Sequence, residues 1–235
     1  MAEYFTKKEV FKGEEIEAIY RQARKPVPVD PDVDLSKSDN PMMAMGHGFC
    51  PAFNQRTYKA ADGIICEQDL AVKMRDGITI YCDIFRPEES GPDKKVPVIV
   101  SWSWFGKRPG DGMSEWQLMG VAPGTVSRLA KFESPDPMYW CYQGYAVANV
   151  DVRGAGHSEG NVHMFTHQDG EDGYDFVEWV AQQSWCNGKV GMSGNSGVAM
   201  HQLGIAAQQP PHLCCIAPWE STSDLYRESL FEGGI

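Results

Sequence analysis

One serine in the sequence lies where nucleophilic chemistry would be expected. Ser196 follows the short apolar run 189–192 and precedes a helical pattern that begins near residue 198. A sharp strand-to-helix turn exposes a serine hydroxyl, provided that the residue two positions earlier is small, as Gly194 is. Gly197 would then offer its backbone N–H to an oxyanion. The segment predicts a nucleophile at Ser196 with half of an oxyanion hole beside it.

The same segment, taken alone, leaves an alternative open. The strict pattern G-x-S-x-G fails, because Val198 stands in the place of the second glycine. A Gly/Ser-rich stretch before a helix is equally compatible with a helix cap, in which Ser193 or Ser196 accepts a hydrogen bond from the first turn. The choice between nucleophile and cap therefore depends on the elements that surround the segment.

A glycine-rich loop, residues 151–160, follows an earlier apolar run and would lie at the same sheet edge as Ser196. The loop lacks the lysine of a P-loop and the glycine spacing of a dinucleotide-binding turn, so it predicts a structural loop with an Asp/Arg scaffold. His157, His163 and His167 lie in or near it. For each histidine taken alone, an ordinary loop or core position is favoured over a catalytic or metal-binding role.

The apolar runs around these segments predict an α/β fold. The stretches 64–74 and 78–85 have the pattern of two antiparallel strands, and the Asp76-Gly77 pair between them favours a tight turn. Short apolar runs of the kind that a parallel sheet buries on both faces follow at 96–102, 145–150, 189–192 and 213–217.

Helical patterns alternate with these strands. They cover about 114–131, 172–183 and a segment from 196 to before Pro210. A hairpin followed by alternating strands and helices is typical of an open, mostly parallel sheet with helices on both faces. Ligands in such sheets bind at the carboxyl ends of the strands, which is where Ser196 and the loop 151–160 are predicted.

The N-terminal part of the sequence has a different pattern. Residues 5–24 alternate charged and apolar side chains at helical spacing, which predicts an amphipathic helix on a surface. Prolines between residues 26 and 51 are incompatible with regular ladders and helix interiors, so an irregular arm is expected after that helix.

Composition limits the classes of function. The 235 residues carry a net charge of -11 and are 42% hydrophobic, which predicts a soluble globular protein. Nucleic acid is disfavoured as a partner, because no basic stripe could release counterions from phosphates. A membrane is disfavoured too, since neither a signal peptide nor a long apolar span is present, and a cytoplasmic location is the expectation. The seven cysteines lack the paired spacing of a zinc site and are predicted to be reduced thiols.

A set of segments follows a recognisable order and spacing over residues 66–235: 72–80, 83–87, 97–100, 151–160, 171–175, 185–196, 218–220 and 224–227. Together they resemble the CocE/NonD group of serine hydrolases, which contains cocaine esterases and X-Pro dipeptidyl-peptidases. The resemblance implies an α/β-hydrolase fold, with residues 1–63 as a helix and irregular arm and residues 64–235 as the N-terminal portion of the hydrolase domain.

The resemblance also implies a mechanism. In that family the serine of the turn attacks the carbonyl of a small-molecule ester or peptide substrate, and no metal or organic cofactor is needed. The role carries over to Ser196, and the next N–H, from Gly197, forms half of the oxyanion hole. The other donor in the family is a tyrosine hydroxyl, but Phe105 occupies that position here and has none. The indole N–H of Trp104 or the hydroxyl of Ser103 are the available substitutes.

The acid and the histidine of the family follow the nucleophile in sequence. Only His201 and His212 follow Ser196 here, and both are too close to it to be the late histidine of that pattern. We therefore expect the isolated chain to be inactive, with the acid and base supplied by a complementing C-terminal chain, or within a homo-oligomer. Two alternatives stay open: a catalytically inactive, hydrolase-derived binding or assembly module, and a small hydrolase that uses His157 as an improvised base.

Overall fold

The chain divides into two units, residues 1–34 and 35–235, and each is described by itself. The predicted proline-containing arm lies outside the described residues. The computed structural model describes residues 4–11, 13–21, 53–108, 120–122, 124–231 and 233.

In the first unit the predicted amphipathic helix is wrong, because the segment forms a β-hairpin. Strand β1, Tyr4–Phe11, pairs antiparallel with strand β2, Glu14–Arg21, and Gly13 in the turn has a φ of 84°. Lys8 forms an ion pair with Glu15 across the two strands. The charged and apolar residues of this segment fit the spacing of a helix as well as that of a strand. Gly13 favours the hairpin, because a glycine inside a helix costs roughly 0.5–1 kcal/mol, whereas glycine readily adopts the positive φ that the turn requires.

The second unit contains a seven-stranded mixed sheet, in the order β3-β4-β5-β7-β6-β8-β9. The pairs from β3 to β7 are antiparallel, and the pairs from β7 to β9 are parallel. The α/β class and every predicted strand are confirmed, although the sheet is mixed rather than mostly parallel. Strand β3 also starts the sheet before the predicted boundary at residue 64. The strands are β3 Arg56–Ala61, β4 Ile64–Lys73, β5 Thr79–Pro87, β6 Val96–Ser103, β7 Ala146–Asp151, β8 Cys186–Asn195 and β9 Leu213–Trp219.

Three α-helices accompany the sheet in the described part of the chain: α1 Pro137–Tyr142, α2 His167–Ala181 and α3 Ser196–Ala207. Helices α2 and α3 confirm two of the predictions. The predicted helix at 114–131 is wrong where it is described, since residues 120–122 and 124–131 form turns and irregular backbone. Helix α1 was not predicted because it has six residues, and a π-helical turn, Tyr226–Leu230, follows β9.

The two faces of the sheet have different chemistry, because successive strand residues point to opposite sides. The face that we call the apolar face packs against α2 and α3 through one continuous hydrophobic cluster, which includes Ile84, Val100, Val150, Phe176 and Ile205. The opposite face, which we call the polar face, carries buried polar side chains in register on three neighbouring strands: Asp83 on β5, Ser101 and Ser103 on β6, and Asn149 and Asp151 on β7.

Strand β9 lies at one end of the described sheet, so one side of its backbone is unpaired within these residues. Such an edge can pair with another chain, and the homo-oligomer expected from the sequence stays a prediction. The described cysteines are free thiols, of which Cys66, Cys82, Cys141 and Cys186 are buried. No helix among the described residues is long and apolar enough to cross a membrane.

Candidate active site

The turn between β8 and α3 has the predicted strand-turn-helix geometry around Ser196. Ser196 has a φ of 47°, a left-handed conformation that costs energy for a residue with a Cβ atom. Gly194 is required for close packing, because a Cβ atom there would lie 2.2 Å from Cγ1 of Val198 and 3.1 Å from the carbonyl oxygen of Glu133. Gly194 is therefore closely packed between Val198 and Glu133, and the strained backbone conformation of the turn is that of Ser196.

The helix-cap interpretation does not fit this turn. Asn195, rather than Ser193 or Ser196, occupies the N-cap position, and its side chain makes no capping hydrogen bond. The Asn195 amide instead donates to Oε2 of Glu220 at 3.0 Å. Ser193 lies within β8 and Ser196 is the first residue of α3, so neither hydroxyl is placed to cap the helix.

An aromatic wall lies against the backbone of Gly197. A Cβ atom at this glycine would be 2.7 Å from Nε1 of Trp104 and 3.2 Å from Cε2 of Phe105. The two rings are stacked with centroids 4.0 Å apart, and Phe132 packs edge-on against Phe105 at 5.1 Å. The structure thus brings the predicted Phe105 to the turn, and it places the indole nitrogen of Trp104 closer to Gly197 than the Phe105 ring is.

Glu133 is a site residue that the sequence did not indicate. Its carbonyl oxygen accepts a hydrogen bond from the Asn195 N–H at 2.9 Å, and its own φ is 58°. Its Oε2 atom is buried and has no hydrogen-bond partner among the described residues. Burial raises the pKa of this carboxyl group, and the nearby Ser196 hydroxyl and the N–H groups of Gly197 and Val198 oppose that rise by a smaller amount. No local pattern identifies Glu133, because it lies in a separate segment between β6 and β7.

Buried charges lie behind the site on the polar face. The Lys107 ammonium is fully buried and pairs with Asp151 at 2.9 Å and with Asp69 at 3.0 Å. Lys131 is also buried, but its Nζ has no hydrogen-bond partner among the described residues. Burial lowers the pKa of Lys131 to about 7, against the attraction of Asp151 and Glu133. The site thus has one compensated and one uncompensated buried cation.

The glycine-rich loop 151–160 forms the predicted structural scaffold. The Arg153 guanidinium pairs with Asp172 at 2.7 Å and with Asp76 at 2.8 Å, which ties the loop to α2 and to the β4–β5 turn. A Cβ atom at Gly156 would lie 2.2 Å from Oδ2 of Asp151, so the loop closes tightly over that carboxylate. His157 packs edge-on against Phe53, with ring centroids 5.6 Å apart. His163 and His167, in contrast, are exposed to solvent.

The two histidines that follow Ser196 are held by helix α2. The buried His201 bonds through Nδ1 to Asp169 at 2.5 Å, and Asp169 also accepts a hydrogen bond from the Trp102 indole at 2.8 Å. His212 bonds through Nδ1 to Glu178 at 2.8 Å. Both carboxylate partners belong to α2, so these contacts anchor the imidazoles to that helix rather than to the turn at Ser196.

Two cavities lie beside the turn, on the polar face of the sheet. The first, about 550 Å³, is lined by residues 132–135 and 193–195 together with Trp140 and Trp219. The second, about 570 Å³, shares Trp140, Trp219 and Ser193 with the first and extends along β6, β8 and β9. Trp140 and Trp219 thus line both cavities, whereas Trp102 is buried in the core against Phe176.

The sheet order and the flanking helices define the class of the protein as an α/β hydrolase. Over residues 76–235 the chain matches the X-Pro dipeptidyl-peptidase (S15) family, and it belongs to that family. It is 40% identical to a CocE/NonD family hydrolase of Staphylococcus aureus, with a TM-score of 0.63 over 70% of this chain and 29% of that one.

Two further comparisons show similarity, the first in sequence and the second in fold alone. Cocaine esterase of Rhodococcus sp. (strain MB1 Bresler) is 31% identical over 167 residues, which are 71% of this chain and 25% of the esterase. An α-amino acid ester hydrolase shares the fold, with a TM-score of 0.55 at 22% identity over 76% of this chain and 29% of that chain. The chain spans about a quarter of the length of the curated relatives that it matches.

Proposed function

We propose that this protein is a serine hydrolase that cleaves an ester or amide bond through an acyl-enzyme on Ser196. The observation that carries the proposal is the φ of 47° at Ser196, directly after a strand and before a helix. A residue in this strained conformation persists only where the surrounding structure enforces it, which is common at functional sites. The similarity to cocaine esterase and to the X-Pro dipeptidyl-peptidases supports an ester or a peptide bond as the target.

The proposed reaction has two halves. Oγ of Ser196 attacks the carbonyl carbon while a base takes its proton, and the carbonyl oxygen becomes an oxyanion that accepts the Gly197 N–H. The tetrahedral intermediate collapses, and the alcohol or amine leaves with a proton. A water molecule then attacks the acyl-enzyme in the same way, which releases the acid and restores the serine hydroxyl.

The second oxyanion donor in this proposal is the indole N–H of Trp104. Phe105 cannot donate through its side chain, and the Ser103 hydroxyl is buried and accepts the Phe105 N–H at 3.1 Å. Nε1 of Trp104 is the side-chain atom closest to a Cβ position built at Gly197, and Trp104 is 37% exposed. Trp104 thus lies next to Gly197 and is partly exposed to solvent.

The general base and its acid come, in this proposal, from residues beyond these 235 or from a partner chain. A serine hydroxyl is a weak nucleophile without an adjacent base. His201 and His212 are bonded to Asp169 and Glu178 of α2, and these bonds occupy the Nδ1 atom of each ring. In the α/β-hydrolase order the acid and the histidine follow the nucleophile, and this chain corresponds to about a quarter of its relatives.

A fluorophosphonate probe tests the proposal on the protein at its natural length. The probe phosphonylates an activated serine with loss of fluoride, so we expect labelling of the wild type and none of Ser196→Ala. Ser193→Ala is the matched control, because this serine lies three residues earlier on β8, and its labelling should persist. A folded wild-type protein that takes up no probe would reject the proposal and favour the alternative, a hydrolase-derived binding module.

A further inference from the structure

The loop 104–108, whose first residue is the proposed indole donor, ends in two consecutive cations, Lys107 and Arg108. The Lys107 ammonium donates to Asp151 on β7 at 2.9 Å, and its side chain is completely buried. The Arg108 guanidinium donates through Nε to Asp83 on β5 at 2.6 Å. The far end of the loop is therefore fixed to two strands, on the polar face of the sheet.

A third carboxylate, that of Asp69, joins the two cations. It lies 3.0 Å from Nζ of Lys107 and 2.5 Å from Nη2 of Arg108. Asp69 lies where the pairing of β4 with β5 is irregular, and its φ of 55° is strained for a residue other than glycine. Such a bulge can redirect a side chain, and here the Asp69 N–H donates to Asp83 at 2.8 Å, which holds the bulge in place. The strained backbone of β4 thus supplies the carboxylate that bridges both cations.

The near end of the same loop lies against the turn that follows β8. Nε1 of Trp104 would be 2.7 Å from a Cβ atom at Gly197, and the stacked ring of Phe105 would be 3.2 Å away. Gly106, between the aromatic residues and the cations, has a φ of 97°, a conformation that glycine adopts readily. The connection is short, so a shift of the cationic end would also move the indole.

We propose that the buried ion-pair network of Asp69, Lys107 and Arg108 positions the oxyanion site. The network holds the Trp104 indole beside the Gly197 N–H, so that both donors can reach one oxyanion. The inference rests on the proposed function. Its physical basis is that oxyanion donors stabilise a transition state only when they are fixed in advance, and a misplacement of about 1 Å can cost 10²-fold in rate. The three residues are positioning residues, because they act through Trp104.

The test is a double-mutant cycle on the second-order rate of fluorophosphonate labelling, in the protein at its natural length. Arg108→Lys keeps the charge but cannot contact Asp69 and Asp83 with a planar fork, so the rate should fall by about tenfold to a hundredfold. Trp104→Phe removes the indole N–H and should lower the rate by about 10²- to 10³-fold. If Arg108 acts through Trp104, Arg108→Lys should change the rate of the Trp104→Phe protein less than about twofold.

Arg86→Lys is the matched control. Arg86 on β5 donates through Nε to Glu67 on β4 at 2.8 Å, and its side chain is 14% exposed, against 13% for Arg108. Because Arg86 is not part of the loop 104–108, its replacement should change the labelling rate less than about twofold. Equal losses of rate in Arg86→Lys and Arg108→Lys would mean a general disturbance of the sheet and would overturn the inference.

A second variant, Asp69→Asn, covers the case in which Arg108→Lys does not fold. It keeps the shape of the side chain and removes the charge that bridges the two cations, and it should show the same dependence on Trp104.

The remaining outcomes separate this inference from the proposed function. If the wild type is labelled and the losses from Arg108→Lys and Trp104→Phe multiply, the network only stabilises the fold, and only the inference fails. If Trp104→Phe reacts at the wild-type rate, the indole is not the donor, and the inference fails while the nucleophile Ser196 stands. A folded wild type that takes up no probe would reject the proposed function and the inference together.

Discussion

The two faces of the central sheet differ in the side chains that they bury. On the apolar face, Phe176, Ile205 and their neighbours fill the space under α2 and α3. On the polar face, the same strands present Asp83, Asn149 and Asp151 to a layer that also buries two lysines. The candidate site, both cavities beside it and the aromatic wall on Gly197 are associated with the second face.

The difference shows where the fold tolerates an energetic cost. Burying a charge is expensive unless a partner and hydrogen bonds compensate it, and the polar face compensates some of its groups but not others. Lys107 has two carboxylate partners, whereas the Lys131 ammonium and both side-chain polar atoms of Asn149 have none among the described residues. The polar face thus carries buried groups that lower stability, and it is the face that also carries the candidate site.

The largest expected effect comes from breaking the compensated part of the polar face. Lys107→Met would leave Asp151 buried without its cation and Asp69 paired with Arg108 alone, and it should lower the free energy of unfolding by about 3–5 kcal/mol at neutral pH. Burial already raises the pKa of Asp151, and loss of Lys107 would raise it further. Because that carboxyl group then gains a proton in the folded state as the pH falls, the penalty should shrink in acid. Urea unfolding at several pH values measures both effects.

Phe176→Ala is the comparison on the apolar face. Phe176 is fully buried against Trp102, and its truncation should cost a similar 3–5 kcal/mol through the cavity that it leaves. No charge is involved, so this penalty should not vary with pH as that of Lys107→Met does. If the loss of unfolding free energy depended on pH in the same way in Lys107→Met and Phe176→Ala, the proposed difference between the two faces would be wrong.

Lys131 should behave in the opposite way to Lys107, although both are buried on the same face. Lys131→Met removes an uncompensated cation and should stabilise the protein by about 1–4 kcal/mol at pH 7, similar to the gain seen when buried charges are replaced by apolar residues. Burial lowers the folded-state pKa of Lys131 to about 7 from an ordinary 10.5. Between about pH 7 and pH 10.5 Lys131 is protonated in the unfolded chain but not in the folded protein. The free energy of unfolding of the wild type should therefore rise with pH in this range.

The Lys131→Met variant should not show this rise of stability with pH. The pH dependence is therefore a second readout besides the stability at pH 7. Its advantage over the wild type should be greatest at or below pH 7 and smallest above about pH 10.5. Lys59→Met, at an exposed ion pair with Asp62, is the control for loss of a lysine charge and should show no measurable change. A destabilised Lys131→Met would mean that the ammonium has a partner that compensates it.

The sequence predicts the fold well where a strand is continuous and apolar. The runs at 96–102 and 145–150 form β6 and β7, as predicted, because short continuous apolar runs are typical of strands that are buried on both faces. The segment 5–24 failed because its charges and apolar residues fit periods of both 2 and 3.6, and the turn at Gly13 decides between them. Helix α1 starts with Pro137 after the Asp136 cap, but it is too short to show a period.

The site was predictable only in its local part. Ser196, Gly197 and Gly194 follow one another on a turn whose geometry depends on adjacent residues, so the sequence is sufficient to place them. Glu133 and Lys131 reach the site through tertiary packing of an irregular segment, and no spacing rule connects that segment to β8. Trp104 was one of two possible substitutes for the missing tyrosine, and its position beside Gly197 depends on tertiary packing that no local pattern encodes.

The smallest expected effect concerns the strain at Ser196 itself. In the left-handed region a Cβ atom costs energy and glycine does not, so Ser196→Gly should be about 1 kcal/mol more stable than Ser196→Ala, although both lack the hydroxyl. Ser193 in the extended strand β8 is the matched position. Ser193→Gly should be less stable than Ser193→Ala by roughly 0.5–1 kcal/mol, because glycine at this position only adds backbone freedom to the unfolded chain. Thermal or urea unfolding of the four variants measures this reversal of sign, and the same sign at both positions would show that the turn stores no backbone strain. The reversal would locate the strain at one residue of the polar-face site, next to a strand of ordinary geometry.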